Sequence, residues 1–415
     1  MLRRLFGRNV LTPQQRVEIV RKSITQYLNA SAAPAERESA QANLHSNLVE
    51  IQRALYGDPE SKTEEATDEV RQGLAEKLIT GDLMLVLVRS LPQLEFEDRK
   101  IVSAIFKHLV HNNVKEFGSD FIAKKNITIV DELVDFYGIP SLALLAGSMF
   151  RECLRLEPVV CYLLENGKSR EKMFETYVHS PKFEVSSDVL TTLRDLFTTH
   201  KGVVVTYLTN HYEEFFAAYK KLLSSENYVT RRQSLKLLGE LLLDRTNRDV
   251  MMRYISDRQN LRTIMMLLSD PQPNIQFEAF HVFKVFVANP QKSDQVKKLL
   301  INNKQRLINY LQRFHNDRAG DDQFVDEKAL LLAELKQLPD KAVAPAPAAA
   351  EAGATDTSAV GAGDAEPSES AAATGAGAGG AGAGASAAAP TPAASPAAAP
   401  PQTNGTTAEP AAAPA

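Results

Sequence analysis

The sequence predicts an all-α protein, an armadillo/HEAT-like right-handed α-solenoid followed by a disordered C-terminal tail. Apolar helical stripes recur about every 45 residues, the body shows no sustained strand pattern, and the last part of the chain has almost no large apolar residues. Each unit of about 40 to 47 residues is a helical cluster that cannot bury its own apolar face. Neighbouring units must therefore stack, and stacked repeats form a long groove typical of protein binding.

Five apolar stripes define the repeat, and they follow one another at steps of about 43 to 45 positions. In chain order, the stripes are Ile105, His108 and Leu109; Phe150, Cys153 and Leu154; Leu190, Leu193, Leu196 and Phe197; Leu235, Leu238, Leu241 and Leu242; and Phe280, Phe283, Phe286 and Val287. Prolines stand near the edges of the apolar runs, where proline begins or ends a helix. These prolines are Pro13, Pro34, Pro140, Pro158, Pro181, Pro273 and Pro290.

The chain divides into a helical-repeat scaffold, residues 1–338, and an Ala/Gly/Pro-rich tail, residues 339–415. The tail contains no aromatic residue, Leu, Ile or Met, so it has nothing to pack and cannot offset the entropy of ordering its backbone. It carries one lysine against seven acidic residues, a net charge of −6, and since the whole chain carries −4, residues 1–338 carry +2. This nearly neutral body argues against a protein that binds nucleic acid through phosphate contacts.

Sequence motifs for catalysis and metal binding are absent. Cys153 and Cys161 lack a Cys-x-x-Cys spacing, so we interpret them as reduced core thiols. There is no P-loop, Gly-x-Ser-x-Gly or His-Glu-x-x-His motif, and the segment from Asn316 to Lys328 lacks the ligand pattern of an EF-hand. No segment approaches the ~18 uninterrupted apolar residues of a membrane span. We therefore expect a soluble cytoplasmic protein that is not an enzyme and binds no cofactor or metal ion.

The segment from Val229 to Arg245 carries candidate binding residues on one helix face. Arg232, Lys236 and Glu240 recur at four-residue steps beside the apolar stripe. Two cations at this spacing destabilise an isolated helix by about 0.2–0.5 kcal/mol, and a bound anion would relieve that repulsion. The alternative is a solvated face on which Glu240 compensates Lys236.

The repeat spacing extends this face to the neighbouring helices. Lys236 corresponds to Thr191 one repeat earlier and to His281 one repeat later, whereas Arg232 corresponds to Ser187 and Phe277. If these positions line one wall, the groove presents hydroxyl groups, then cations, then an imidazole beside an aromatic ring. Thr191 and His281 are therefore candidates for an extension of the binding site.

Four stretches of sequence resemble the calcium-binding protein 39 family, whose fungal members are called HymA, the conidiophore development protein. These stretches are residues His211–Arg245, Asn274–Pro290, Met149–Pro158 and Asn47–Gly57. The resemblance spans residues 1 to about 337 and implies an armadillo-like scaffold without catalytic activity. Such a scaffold binds Ste20-type kinases or STRAD-like pseudokinases on its concave face and holds them active. The fungal members imply a role in polarity and morphogenesis, at sites of polarised growth.

The resemblance also implies a peptide site. In the family, a C-terminal Trp-Glu-Phe peptide of the pseudokinase docks on the concave C-terminal face. The matching positions here are Arg232, Lys236 and, by residue counting, Met265, with Met266 as the alternative. Two cations suit the carboxylates of this peptide, and a flexible methionine suits an aromatic pocket. A solenoid adaptor for trafficking or transport is the alternative function, because periodicity alone fits it equally well.

Overall fold

The computed structural model describes residues 11–29, 34–56, 68–318 and 320–340. These residues form helices and connecting turns, and none of them belongs to a strand. The chain divides into two units, Met1–Ala344 and Pro345–Ala415. The second unit lies outside the described residues, and so does nearly all of the segment for which the sequence predicts a disordered tail.

Eighteen α-helices make up most of the described part of the chain. They are α1 (Pro13–Asn29), α2 (Pro34–Tyr56), α3 (Asp68–Thr80), α4 (Leu83–Ser90), α5 (Phe96–His111), α6 (Ile129–Asp135), α7 (Ala143–Cys153), α8 (Glu157–Glu165), α9 (Gly167–Glu175), α10 (Phe183–Thr198), α11 (Lys201–Asn210), α12 (Tyr212–Leu223), α13 (Tyr228–Leu243), α14 (Arg248–Ser256), α15 (Arg258–Leu268), α16 (Pro273–Ala288), α17 (Asp294–Arg313) and α18 (Asp322–Gln337). A π-helix, Phe117–Lys125, and several short 3-10 turns connect them.

The helices stack in an order that confirms the predicted all-α solenoid. Helices α5, α7, α10, α13 and α16 carry the five apolar stripes, and each of them packs against the next. Helix α2 packs against α5 at one end of this row, and α18 packs against α16 at the other end. In the C-terminal repeats, α13, α16 and α18 also pack against the helix that precedes each of them, α12, α15 and α17. Each repeat thus contributes one inner helix to a continuous row.

The apolar stripes form the core of this row. Phe280, Phe283 and Phe286 on α16 are completely buried, as are Leu235 and Leu238 on α13. Burying a side chain of this size contributes about 1.5–3 kcal/mol relative to leaving it exposed. The stripe positions are all buried except His108, which is partly exposed. The periodicity therefore identified the inner helices because it marks the surfaces that neighbouring repeats cover.

Capping groups explain where the C-terminal helices begin. The Asn227 side-chain oxygen accepts a hydrogen bond from the backbone N–H of Val229 at 2.9 Å, and Asp257 caps α15 in the same way. Such caps stabilise a helix by about 1 kcal/mol. Pro273 lies in the first turn of α16, where its missing N–H leaves no intrahelical bond unmade. The predicted breakers Pro13 and Pro34 likewise begin α1 and α2.

Ion pairs bridge consecutive inner helices on their solvent-facing side. The partners in each pair are about one repeat apart in sequence, so each pair joins one repeat to the next. Three of these bridges are Arg194–Glu240 at 2.7 Å, Arg232–Glu278 at 3.9 Å and Lys284–Glu327 at 2.6 Å. The middle bridge is too long for a hydrogen bond, whereas those on either side of it are short.

The two cysteines differ in environment. Both are free thiols. Cys153 is buried on α7, and burial raises the pKa of its thiol well above the ordinary value. Cys161 on α8 is partly exposed, so the prediction of two core thiols is correct for Cys153 only.

Candidate functional site

Helix α13 presents Arg232 and Lys236 to solvent. The leucine stripe of this helix is buried, while Lys236 is exposed and the Arg232 side chain is 38% exposed. Because residues four apart lie on the same side of an α-helix, the two cations form one positive strip along α13. This agrees with the helix face predicted from the sequence.

The carboxylate closest to this strip belongs to Glu278 on α16. The Arg232 Nε and Glu278 Oε1 atoms are 3.9 Å apart, and the Glu278 side chain is 16% exposed. Burial raises the pKa of the Glu278 carboxyl group, while the charges of Arg232 and Lys236 act to lower it. The structure therefore supplies one intramolecular anion for two cations, and Lys236 forms no ion pair within the described residues.

Glu240 pairs with a different cation from the one expected for a solvated face. Its carboxylate accepts a hydrogen bond from the Arg194 Nε atom of α10 at 2.7 Å. On the simple solvated-face alternative, Glu240 would compensate Lys236 on its own helix. The bridge to Arg194 instead directs Glu240 toward the preceding repeat, which leaves the Arg232–Lys236 strip with an excess of positive charge.

Thr191 and His281 lie on the helices that flank α13 in the row. Thr191 on α10 is exposed, and its hydroxyl donates a hydrogen bond to the Ser187 carbonyl oxygen at 3.1 Å. The His281 ring on α16 lies edge-on to the Phe277 ring, with a centroid distance of 4.6 Å. Burial and Lys284 lower the pKa of His281, so its imidazole is neutral at neutral pH. We call Thr191, Arg232, Lys236 and His281 the groove face.

Met265 lines a pocket formed by residues of α15 and α17. This pocket has a volume of about 730 Å³ and lies on α15 and α17; we call it the Met265 pocket. Its lining residues are Arg258, Gln259, Arg262, Met265, Met266, Ser269, Leu299 and Asn303. Neither Arg232 nor Lys236 is among them. Both candidate methionines line this pocket.

The Met265 pocket has its own cation pair, which the sequence reasoning missed. Arg258 and Arg262 lie four residues apart on α15, and neither forms an ion pair within the described residues. Met266 follows Arg262 by a further four residues and is 68% exposed. The spacing of Arg258, Arg262 and Met266 places all three on one helix face, a signal that was present in the sequence.

An exposed aromatic side chain lies on α10, the helix that also carries Thr191. Phe183, in the first turn of α10, is 59% exposed. It precedes Tyr228 by one repeat, and Tyr228 lies one helical turn before Arg232. Aromatic residues are enriched at protein-binding interfaces relative to the rest of the surface. The sequence reasoning did not select Phe183 because exposure, unlike periodicity, depends on what the neighbouring turn covers.

The described residues show no metal centre and no membrane helix. They contain no group of three or more His, Cys, Asp or Glu side chains able to hold a metal ion. Between α17 and α18, Lys328 donates a hydrogen bond to the Asn316 side chain at 2.7 Å, and Asp321 caps α18. The carboxylate and amide oxygens of this connection therefore serve the local fold. None of the described helices is long and apolar enough to cross a bilayer.

Comparison with known proteins agrees with the resemblance seen in the sequence. Residues 4–339 match the family model described as Mo25-like. The chain is 44% identical to the degreening-related gene dee76 protein of Auxenochlorella protothecoides, over 70% of this chain and 89% of that protein. It is 38% identical to the human calcium-binding protein 39-like, over 81% of this chain and 98% of that protein. The conidiophore development protein hymA of Emericella nidulans is 35% identical, over 80% of this chain and 93% of its own.

Proposed function

This chain belongs to the Mo25-like family, and we propose that it is a non-catalytic scaffold that binds and activates a Ste20-type kinase or STRAD-like pseudokinase. The observation that supports this proposal most directly is the presence of two cation pairs, one on α13 and one on α15, on the same solenoid. One pair is on the groove face and the other is in the Met265 pocket. A partner that touches both surfaces is held at two points, and its orientation is then fixed.

The Met265 pocket is the proposed site for the C-terminal Trp-Glu-Phe end of the partner. Arg258 and Arg262 suit the two carboxylates of such a peptide, one on the glutamate side chain and one at the chain end. Met265 and Met266 are flexible and polarisable, and they suit its aromatic rings. This assignment keeps Met265 as a peptide contact and adds two arginines that line the same pocket.

The groove face is the proposed contact for the folded body of the partner. Arg232 and Lys236 would meet acidic side chains of the kinase domain, with Thr191 and His281 extending that contact along the row of inner helices. Phe183 on α10 supplies exposed apolar area on the same helix as Thr191, and aromatic residues are enriched at interfaces. Holding a kinase across several rigid repeats stabilises one of its conformations, which is how a scaffold without catalytic residues can activate it.

The cellular setting of this activity is also a proposal. We place it in the cytoplasm, at sites of polarised growth, because one relative is named for conidiophore development. A kinase network for polarity and morphogenesis would need such a scaffold. A trafficking or transport adaptor is the outcome to be excluded by experiment.

The test combines binding with a kinase assay. The full chain is mixed with a purified Ste20-type kinase that ends in Trp-Glu-Phe, and both complex formation and phosphate transfer to a substrate are measured. We expect a complex and a several-fold rise in kinase activity. A kinase that neither binds nor changes its activity, together with capture of coat or transport proteins from the same cells, would favour the adaptor function instead.

A further inference from the structure

Helix α17 has an exposed face without carboxylates or apolar side chains. After Asp294 in the first turn, every exposed residue of this helix is a lysine, an arginine or a side-chain amide. We call this set the α17 face, and it consists of Gln295, Lys297, Lys298, Asn302, Gln305, Arg306, Asn309, Gln312 and Arg313. Four of its members are cations and none is acidic, so the face carries a charge of +4.

Three of these cations form one strip along the helix. At 3.6 residues per turn, Lys298, Arg306 and Arg313 lie within an arc of about 80° around the helix axis, and the strip is about 22 Å long. Lys297 lies at the edge of the face. The apolar side of α17 is buried in the core of the solenoid through Val296, Leu300, Leu307, Ile308 and Leu311.

The four cations of the α17 face have no partner within the part of the chain that the structure describes. Their side chains form neither a hydrogen bond nor an ion pair there. Lys304, the fifth cation of the helix, is only 14% exposed, and it donates hydrogen bonds to the Leu338 carbonyl oxygen at 2.6 Å and to Asp340 at 2.7 Å. The partly buried cation of α17 therefore serves the fold, whereas the exposed ones are available to a ligand.

Exposed cations on several earlier helices are neutralised by the solenoid itself. Lys201 on α11, Lys221 on α12 and Arg253 on α14 each face a carboxylate about one repeat away, at 2.6, 2.8 and 2.6 Å respectively. The α17 face has no such carboxylate. Its positive charge thus differs from the paired surface charges of these helices.

The chemistry of the α17 face suits a ligand that presents many oxyanions over an extended area. Ammonium, guanidinium and amide N–H groups all donate hydrogen bonds to phosphate and carboxylate oxygens. The face has no exposed apolar residue to bury against a folded partner. A layer of anionic headgroups needs neither a pocket nor an apolar anchor to attract a strip of cations.

We propose that the α17 face docks the protein on an anionic membrane surface, with the phosphates and carboxylates of the lipid headgroups as its ligands. The inference goes beyond the proposed function, because it concerns where the scaffold is held. Clusters of about four to eight Lys and Arg residues on a helix are typical of binding to acidic phospholipids, and each cation near the surface strengthens binding about fivefold. Since the apolar side of α17 is buried in the core, the helix stays outside the hydrocarbon and the attraction is electrostatic and reversible.

The test is flotation of the full chain with lipid vesicles at low and at high ionic strength. One set of vesicles contains phosphatidylcholine alone, and the other contains about one third phosphatidylserine. We expect the protein to float with the phosphatidylserine vesicles at low ionic strength, to remain free of the phosphatidylcholine vesicles, and to detach as salt is added. Absence of binding to phosphatidylserine, or equal binding to both kinds of vesicle, would overturn the proposal.

A triple variant identifies the α17 face as the contact. Replacing Lys298, Arg306 and Arg313 together by glutamine should weaken binding to the phosphatidylserine vesicles about 100-fold, because three cations are lost while helix propensity is kept. Circular dichroism shows whether the variant is folded. If the triple variant does not fold, Lys298→Gln alone, expected to bind about fivefold more weakly, keeps the test decisive.

The matched control makes the same change in net charge at scattered positions. Lys22, Lys168 and Lys220 are exposed lysines on α1, α9 and α12, and their triple replacement by glutamine should weaken vesicle binding less than about threefold. Equal losses in the two triple variants would show that net charge, rather than the α17 face, governs binding, and the proposal would be wrong.

Other polyanions are compared in the same buffer. A polyglutamate peptide and a short DNA duplex are titrated into the full chain, each at the same concentration of anionic groups as the vesicles. We expect both to bind more weakly than the phosphatidylserine vesicles. If either binds more tightly and loses its affinity in the α17 triple variant, the face belongs to an acidic protein or to nucleic acid, and the membrane assignment is wrong.

Discussion

The groove face and the Met265 pocket have the same arrangement of cations, but their surroundings differ. Each displays two cations four residues apart on one helix, Arg232 and Lys236 on α13, and Arg258 and Arg262 on α15. On the groove face, a carboxylate from the next repeat lies near the pair at 3.9 Å, whereas the described residues supply no ion pair to the arginines of the pocket. The positive charge of the groove face is therefore partly neutralised by a carboxylate of the solenoid itself. The positive charge of the Met265 pocket can be neutralised only by a ligand.

The largest effect is expected in the Met265 pocket. The Arg258→Ala, Arg262→Ala double variant should weaken a labelled peptide ending in Trp-Glu-Phe by about tenfold or more, because the carboxylates of the peptide lose their only cationic partners. Met265→Ala should weaken it through lost packing. Fluorescence polarisation measures both. Unchanged affinity in folded variants would show that the peptide docks elsewhere.

The second prediction compares two ligands, a kinase domain and the isolated peptide, at the groove face. The Arg232→Ala, Lys236→Ala double variant should weaken binding of a kinase domain about tenfold, while the isolated peptide should bind within twofold of the parent. Both cations are at least partly exposed, so we expect folding stability to change by only about 0.5 kcal/mol. Surface plasmon resonance with the two ligands gives both affinities. A large loss of peptide binding would show that Arg232 and Lys236 belong to the peptide site.

Lowering the pH should change the ligand affinities of the two surfaces differently, and this effect should be smaller than those of the double variants. The pKa of His281 lies below its usual value of 6.5, chiefly because burial disfavours the charged ring, so the groove face gains a positive charge only as the pH falls below about 6.5. An anionic partner should therefore bind the groove face up to about threefold more tightly at pH 6 than at pH 7.5. The Met265 pocket has no histidine, and its peptide affinity should remain constant over this range. A His281→Gln variant should remove the effect.

Ionic strength should produce the smallest difference in ligand affinity between the two surfaces. Raising the ionic strength screens exposed charges more strongly than partly buried ones. Peptide affinity should fall as salt rises, since the pocket offers charges without an internal partner. The groove face should respond less steeply, because Glu278 already offsets part of its charge. A steeper salt dependence for the kinase domain than for the peptide would contradict this account of the two surfaces.

The repeat architecture could be predicted from the sequence because the buried positions carry apolar residues at a regular spacing. The leucines of α13 and the phenylalanines of α16 recur in phase, and the same residues are buried where α13 packs against α16. The π-helix at Phe117–Lys125 left no comparable trace. It lies between two regular inner helices, and its winding depends on local packing that periodicity does not encode.

The candidate site was only partly predictable. The shared face of Arg232 and Lys236 follows from four-residue spacing alone, and their exposure is as expected. The position of Met265 relative to them depends on how α15 and α13 pack, which sequence spacing between two different helices cannot give. Glu278 was missed as the partner of Arg232 for a related reason. The repeat register pointed to Phe277, but the charge lies one position further along α16.

The existence of two independent surfaces is tested most directly by competition. A Ste20-type kinase lacking its C-terminal Trp-Glu-Phe segment is titrated into the full chain, with and without a saturating concentration of the free peptide. Our account predicts the same kinase affinity in both titrations, and a loss of about tenfold when Arg232 and Lys236 are both replaced by alanine. Displacement of the truncated kinase by the free peptide would show that the groove face and the Met265 pocket are a single site.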